Sequence, residues 1–335
     1  MSGEHVKKIA QRLQQLWYEK TSFLLKSLIP LSWLYLLVIM ARKAMYRFGI
    51  KKVSKFSVPI IVVGNITVGG TGKTPFVIWL ANFLKAQGYH PGIVSRGYAG
   101  SANQQPTSVT QASDPSLVGD EAVLIARHSH CPVVVARQRV SAVHYLLEIF
   151  HSDIVISDDG LQHYAMGRDI EVAMLDGQRR LGNRYCLPAG PLREPVRRLK
   201  EVNFTIVTDG TPMAHEFAMT LKADQFYQLQ NPSNIQAAAI FQHKKCYAVA
   251  GIGNPDRFFS TLKHLNVFCQ QHPFSDHYSF QLSDFNFAEP ESVIVMTEKD
   301  AVKCQAFADE RFWCLPVKAS VDHHFAEQLM KRLKK

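Results

Sequence analysis

Cysteine is scarce in this chain, and none of it is paired in sequence. The six cysteines, at 131, 186, 246, 269, 304 and 314, include no Cys-x-x-Cys. That argues against a zinc site and against a disulfide framework, and leaves free thiols in a reducing compartment as the simplest account. Acidic residues are also in deficit: 28 Asp and Glu stand against 38 Lys and Arg, a formal net charge of +10. Such a chain calls for an anionic partner, which nucleic acid, lipid or a phosphorylated substrate would each supply. The deficit is mostly N-terminal. From Lys7 to Lys55 there are eleven basic residues and one acid, Glu19. No recognisable nucleic-acid module accompanies the basic residues, so nucleic acid is not an expected partner.

A long hydrophobic run is missing as well. Residues 23–40 read FLLKSLIPLSWLYLLVIM, and the apolar part from Ser27 to Ala41 is 15 residues long. As a helix it reaches only about 22 Å, short of a hydrocarbon core of about 30 Å. Lys26 and Pro30 weaken a span further, and the basic stretch that follows is no signal-peptide cleavage site. The composition fits an amphipathic helix lying in an anionic inner-leaflet interface, with Trp17, Trp33 and Tyr35 at headgroup depth. The alternative is a buried core helix.

With 47% apolar residues, the chain has enough to bury a core, and its length of 335 suits two domains. After residue 55 short Val/Ile-rich runs alternate with helix-length segments: Val58–Val63, Gly92–Val94, Pro132–Ala136, Ile154–Ile156, Val172–Leu175, Phe204–Val207, Tyr247–Ala250, Val293–Met296 and Phe312–Val317. Continuous rather than alternating runs mark parallel strands covered on both faces, which is a doubly wound α/β fold. Asn65–Gly70 and Gly97–Leu117 interrupt as loops. The polar stretch 211–236 reads as a linker. It would join a kinase-like domain over 56–210 to a smaller α/β domain over 237–335, with 1–55 as the membrane-associating segment.

PIIVVGNITVGGTGKTPFVIWLANFL is strand, glycine-rich loop, helix. Gly69, Gly70 and Gly72 let backbone N–H groups turn toward phosphate oxygens, and the helix that follows points its positive end at the same place. Residues Thr67, Val68, Gly69, Gly70, Thr71, Gly72, Lys73 and Thr74 thus form a candidate triphosphate cradle. Lys73 would reach the β- and γ-phosphates and Thr74 Oγ1 a Mg²⁺ ion. Thr67 stands where the general motif has glycine. A strand ending in Asp should help hold the metal, and Asp158 and Asp159 after Ile154–Ile156 supply one. Asp120 and Glu121 open a helical stretch, where a carboxylate suits metal binding or proton acceptance, or serves only as a cap. The guanine-reading Asn-Lys-x-Asp is lacking: Thr297-Glu298-Lys299-Asp300 occupies the corresponding strand end. ATP is therefore the expected nucleotide.

Several segments together resemble the tetraacyldisaccharide 4′-kinases of lipid A biosynthesis: GNITVGGTGKTP (64–75), SRGY (95–98), GDE (119–121), DDGLQH (158–163), LPAGPLRE (187–194) and SDH (275–277). In that family's loop Thr67 is the usual form. The resemblance implies ATP- and Mg²⁺-dependent phosphorylation of the 4′-hydroxyl of a tetraacylated disaccharide 1-phosphate, at the cytosolic face of a Gram-negative inner membrane. No obligate protein partner is implied. It implies Asp120 as base, paired with His277; Glu121, Asp158 and Asp159 with Thr74 at the metal; and Arg193 on phosphate. Arg96, Tyr98, Gln162 and His163 would touch substrate. Of the basic cluster 179–200, Arg193 is expected to be functional and the others to steer charge. A P-loop regulatory or partitioning ATPase is the alternative, and it would need neither Asp120 nor His277.

Overall fold

The computed structural model describes residues 15–18, 23–97 and 105–334. Two sheets organise it. In the first, nine strands lie in the order β15-β8-β7-β6-β1-β5-β2-β4-β3. These are β1 (Ile60–Gly64), β2 (Pro91–Ser95), β3 (Thr107–Val109), β4 (Val133–Val135), β5 (Ile154–Ser157), β6 (Ile170–Asp176), β7 (Phe204–Thr208), β8 (Glu216–Lys222) and β15 (Lys318–Val321). In the second, β10 (Ile235–Ala237), β9 (Gln225–Gln228), β14 (Phe312–Leu315), β13 (Val293–Thr297), β11 (Cys246–Ala250) and β12 (Gln270–Pro273) lie in that order. Every apolar run read from the sequence forms a strand, and the Val/Ile-rich ones are buried on both faces. The fold is α/β, with a large, mostly parallel sheet.

The helices follow from which face needs cover. Phe76, Leu80 and Leu84 of α3 (Lys73–Ala86) and Ile125 of α5 (Asp120–Ser129) pack on one face of the first sheet. Ala142, Val143 and Leu146 of α6 (Arg139–Phe150) pack on the other. Two short helices complete the N-terminal half, α1 (Phe23–Ser27) and α4 (Pro115–Val118). Around the second sheet stand α7 (Pro255–His264) and α8 (Glu298–Cys304).

Four sequence expectations are corrected. The stretch 211–236 is not a plain linker: it carries β8, which extends the first sheet, and β9 and β10, which edge the second. The C-terminal end does not stay with the second sheet. β15 pairs with β8, and α9 (His323–Leu333) buries Phe325 against Phe76, Phe204 and Phe217 of the first. The loop 97–117 contains β3. These strands are polar or short because they are edge or antiparallel elements with one solvated face. Finally, Cys246 and Cys269 form a disulfide. The parallel register that pairs Tyr247 with Gln270 sets their Cα atoms 4.5 Å apart, which spacing in sequence could not reveal. The remaining four cysteines are buried thiols.

The N-terminal helix α2 (Ile29–Arg47) has two unlike sides. Tyr35 and Leu36 pack on the first sheet's layer. Leu31, Trp33, Leu34, Leu37, Val38 and Met40 are exposed. No helix among the described residues is long and apolar enough to cross a membrane. Two of the aromatic residues expected at headgroup depth instead face protein. Trp17 is buried and donates from Nε1 to Pro188 O at 3.1 Å, and Tyr35 Oη donates to Arg193 O at 3.2 Å.

Candidate active site

The C-terminal ends of β1, β2, β5 and β6 point toward a cleft of about 2190 Å³, and the loops after β11, β12 and β13 of the second sheet line its other side. In the first sheet β1 lies between β5 and β6, so successive strands diverge there. Crevices at such switch points are where open α/β sheets bind ligands.

The loop after β1 is held from three directions. Val68 N donates to Pro191 O at 2.8 Å, Arg193 N to Ile66 O at 2.6 Å, and Thr67 bridges Leu192, so segment 190–193 clamps one side. Thr208 Oγ1 donates to Thr71 O at 2.9 Å from below. Gly253 of the second lobe lies against Gly69 and Gly70. Gly72 takes the left-handed conformation (φ 79°) that lets the chain turn into α3. The first bond of that helix is Phe76 N to Gly72 O, so the N–H groups of Lys73 and Thr74 have no intrahelical acceptor and face the loop. The ammonium of Lys73 lies 3.4 Å from Asp159 Oδ1.

Acids gather beside it. Asp159 (φ 47°) is reached by Arg193 Nη1 at 3.1 Å. Burial opposes its ionisation, but Lys73, Arg193 and Arg139 outweigh burial and hold its carboxyl well below the usual range. Asp158 is fully buried and accepts from Ser95 Oγ at 3.2 Å, while its Oδ1 lacks a hydrogen-bond partner among the described residues. Burial, and then the nearby carboxylates of Glu121 and Asp159, push its pKa up to about 7. Arg139 Nη2 fixes this turn by donating to the carbonyls of Asp158 (2.9 Å) and Asp159 (2.8 Å).

The second lobe brings the opposite charge. Lys299, at the head of α8, donates to Glu121 Oε1 at 3.0 Å and Asp276 Oδ1 at 3.1 Å, and lies 3.3 Å from His277 Nε2. An ammonium is donor only, so Nε2 accepts and the neutral imidazole carries its proton on Nδ1. Nδ1 lies 3.2 Å from Asp120 Oδ2. Asp120 itself is 5% exposed and sits behind His277, which faces the cleft. Burial raises the Asp120 pKa, but the His277 hydrogen bond and the charges of Lys299 and Lys303 lower it further, leaving it below the ordinary value. For His277, burial lowers the pKa and the Asp120 hydrogen bond reverses this, for a net rise.

A strand-anchored glycine-rich loop, converging carboxylates and a second lobe completing an Asp–His pair thus meet at one cleft. Residues 24–334 match the family described as tetraacyldisaccharide-1-P 4′-kinase. Curated relatives called tetraacyldisaccharide 4′-kinase include one from Coxiella burnetii (strain Dugway 5J108-111), 50% identical over 94% of this chain and 93% of its own. Another, from Nitrosococcus oceani, is 49% identical over 91% and 90%. A crystal structure of LpxK from Aquifex aeolicus in complex with ATP superposes with a TM-score of 0.77 at 28% identity, covering 93% of this chain and 99% of that one. The chain belongs to the tetraacyldisaccharide-1-P 4′-kinase family.

Most residues singled out in the sequence line this one cleft: Lys73, Thr74, Arg96, Glu121, Asp158, Asp159, Gln162, His163, Arg193 and His277. Tyr98 lies outside the described residues. Gln162 is engaged with protein, donating to Asn65 O and Glu194 Oε1 at 3.0 and 2.8 Å. Within the cluster 179–200, Arg184, Arg197 and Lys200 are exposed, as steering charge requires, but three other arginines are architectural. Arg198 is buried on Glu171 and Glu194, Arg180 forks onto Glu216, and Arg179 Nη1 donates to Gly253 O. Sequence reasoning missed Lys299, Arg139, Glu194 and the pair Asn254 and Arg257, both of which contact the buried Asp176. Lys299 carried the one usable signal: it follows a Val/Ile strand, as Asp158 does.

Proposed function

We propose that this kinase transfers the γ-phosphate of ATP to the 4′-hydroxyl of a tetraacyldisaccharide 1-phosphate, in lipid A biosynthesis. The observation that carries the reading is a single cleft that unites Lys73 on the phosphate loop, three carboxylates, and His277 on the facing lobe. Phosphoryl transfer proceeds through a loose transition state that needs positioning and charge neutralisation more than covalent help. Lys73 and the N–H groups of the 69–74 loop would hold the β- and γ-phosphates. Arg193 keeps Asp159 aligned with Lys73 and would add charge opposite the phosphates. The Asp120–His277 pair would take the acceptor proton, with Asp120 as the carboxylate base and His277 as its cleft-facing partner.

The residues also fit Mg²⁺. Glu121, Asp158, Asp159 and Thr74 offer hard oxygen donors, and the raised pKa and unpartnered Oδ1 of Asp158 are those of a carboxylate group short of a cation. When bound, the ion would neutralise charge on the β- and γ-oxygens.

The two sheets form the lobes of the enzyme, the first from about 56–222 with 318–333 and the second from about 225–315. The exposed apolar side of α2, bordered by Arg47, Lys51 and Lys52, supports a chain that lies on the anionic cytoplasmic face of the inner membrane rather than crossing it. Incubation with γ-labelled ATP and the disaccharide 1-phosphate in mixed micelles tests the reaction. Label should appear in the lipid; label released only as free phosphate would overturn it.

A further inference from the structure

An ammonium has three hydrogens to donate, and Lys299 directs them at three acceptors drawn from both lobes. Glu121 Oε1 of the first lobe lies at 3.0 Å, and Asp276 Oδ1 and His277 Nε2 of the second lie at 3.1 and 3.3 Å. With all three engaged, Lys299 is not arranged to hold a phosphate. Burial lowers its pKa, but the carboxylates of Glu121, Asp120 and Asp276 outweigh burial and hold it above the ordinary lysine value, so the charge stays. His277 is thereby gripped at both ring nitrogens, Nε2 by Lys299 and Nδ1 by Asp120 Oδ2 at 3.2 Å. The other oxygen of that carboxylate, Asp120 Oδ1, accepts from Glu121 N at 2.8 Å, which turns Oδ2 to the ring. Lys303 makes the contrast. It stands 4.0 Å from Asp120 Oδ2 but pairs with Asp300 of its own helix at 2.7 Å, so it adds charge and aligns nothing.

We propose that Lys299 is the positioning residue of the Asp120–His277 pair, holding the imidazole neutral and aimed at Asp120 while its ammonium also grips Glu121 across the seam. This rests on the kinase reading above. A carboxylate beside an imidazole favours a second proton on the ring, and Asp276 Oδ1, 3.8 Å from Nε2, would favour it too. An imidazolium already paired with Asp120 leaves the carboxylate a poorer acceptor for a hydroxyl proton. Lys299 opposes that second proton twice: its N–H occupies the Nε2 lone pair, and its charge repels another cation. Because the third of its bonds crosses to Glu121, the alignment holds only when the lobes meet, which is when water is shut out of the cleft.

The test uses full-length Lys299→Met, which keeps the stem and removes the donors, Lys299→Arg, and His277→Ala alone and combined with Lys299→Met. Lys299→Met should lose about 10- to 100-fold in kcat, with ATP affinity by calorimetry kept within threefold, and Lys299→Arg should recover part of the loss. In the His277→Ala background, Lys299→Met should cost less than threefold more, because both act as a unit. Nitrogen NMR of histidine-labelled enzyme, with the His277 signal assigned by its loss in His277→Ala, should show Nδ1 protonated and Nε2 bare near neutral pH. In Lys299→Met the Nε2 signal should move to its protonated position. Equal losses in both backgrounds would place the effect of Lys299 on Glu121 instead and overturn the proposal. A doubly protonated His277 in the wild type overturns it without any variant. Wild-type enzyme that labels no lipid would sink the kinase reading, while the imidazole spectrum still decides the alignment.

Discussion

Gly253 sits where the two lobes touch, and a single methyl group there tests whether their closure matters. A Cβ at this position would stand 2.6 Å from Gly70 N, 3.2 Å from Gly69 C and 3.3 Å from Asp276 Oδ2. The nearest of these is backbone of the phosphate loop, which is held on its far side by Pro191 and Thr208 and cannot retreat. Ordinary contact begins near 3.4 Å, so the lobes must part by about 0.8 Å. Overpacking of this kind costs about 1–3 kcal/mol. The cost falls on the seam and on neither core, so it should appear as a loss of roughly 5- to 140-fold in kcat/KM for ATP, with Tm nearly unchanged. Steady-state kinetics with ATP varied, beside a thermal melt, gives both numbers for Gly253→Ala. A variant with wild-type kcat/KM would show that the phosphate loop does not depend on the facing lobe. A large fall in Tm would show that the strain had entered a core.

Lys73→Ala should cut turnover by about 10²- to 10³-fold or more, because it removes the charge aimed at the transferring phosphoryl group; a normal rate would contradict the loop's role. Asp120→Ala should lower kcat by about 10²- to 10⁴-fold with ATP affinity, measured by calorimetry, left within a few-fold. A change confined to Mg²⁺ dependence would move Asp120 out of the base role. Replacing Leu34 and Leu37, 59% and 63% exposed, by Glu should leave the melt unchanged. Losing the insertion of these two exposed leucines into lipid is worth about 3 kcal/mol, or roughly 100-fold in vesicle partitioning, and unchanged sedimentation with vesicles would refute the membrane-surface reading. Glu171 tests pH dependence. Burial raises its pKa, but Arg198 and Arg168 outweigh that and depress it. Its stabilising contribution is therefore complete above about pH 4.5 and is lost as pH falls through the lower folded value. Glu171→Gln should cost about 1–3 kcal/mol at pH 7 and flatten the acid limb of a stability profile; parallel profiles would refute the assignment.

What the sequence made legible was local. The phosphate loop could be read because its strand, glycines and helix are contiguous, and Asp158 and Asp159 because a strand end announces them. Asp120 and His277 are 157 residues apart, and only the family resemblance joined them. The roles of Lys299 and Arg257 could not be read for the same reason, although Lys299 stands at a strand end: their partners, Glu121 and Asp176, come from the other lobe. Polarity also misled. The alternation in 211–236 is weak because β8 and β9 are paired on polar, half-open faces, and the sequence of α2 shows that it is apolar without showing which side meets protein. Tyr35 and Trp17 fell on the protein side because carbonyls of the 186–193 loop wait there for their hydroxyl and indole N–H.

The misread stretch also explains how one contact at the seam can govern the whole site. The chain passes from the first sheet to the second between β8 and β9, and returns between β14 and β15, each time over two residues, 223–224 and 316–317. The two passages run side by side: Lys222 pairs with Lys318 on one side of the gap, and Tyr227 with Cys314 on the other. Tethers about 4.8 Å apart resist the independent twisting that one linker would allow, and Pro316 stiffens one of them further. What remains is a bend of the paired ribbon that moves the second lobe as a unit. Gly253 against Gly70, Arg257 and Asn254 on Asp176, Lys299 on Glu121 and His277 on Asp120 must then close or open together. A methyl group that holds the first of these contacts apart also withdraws His277 from Asp120, so Gly253→Ala should lower kcat as well as ATP affinity, whereas a loss of ATP affinity alone would mean the ribbon lets the contacts move separately.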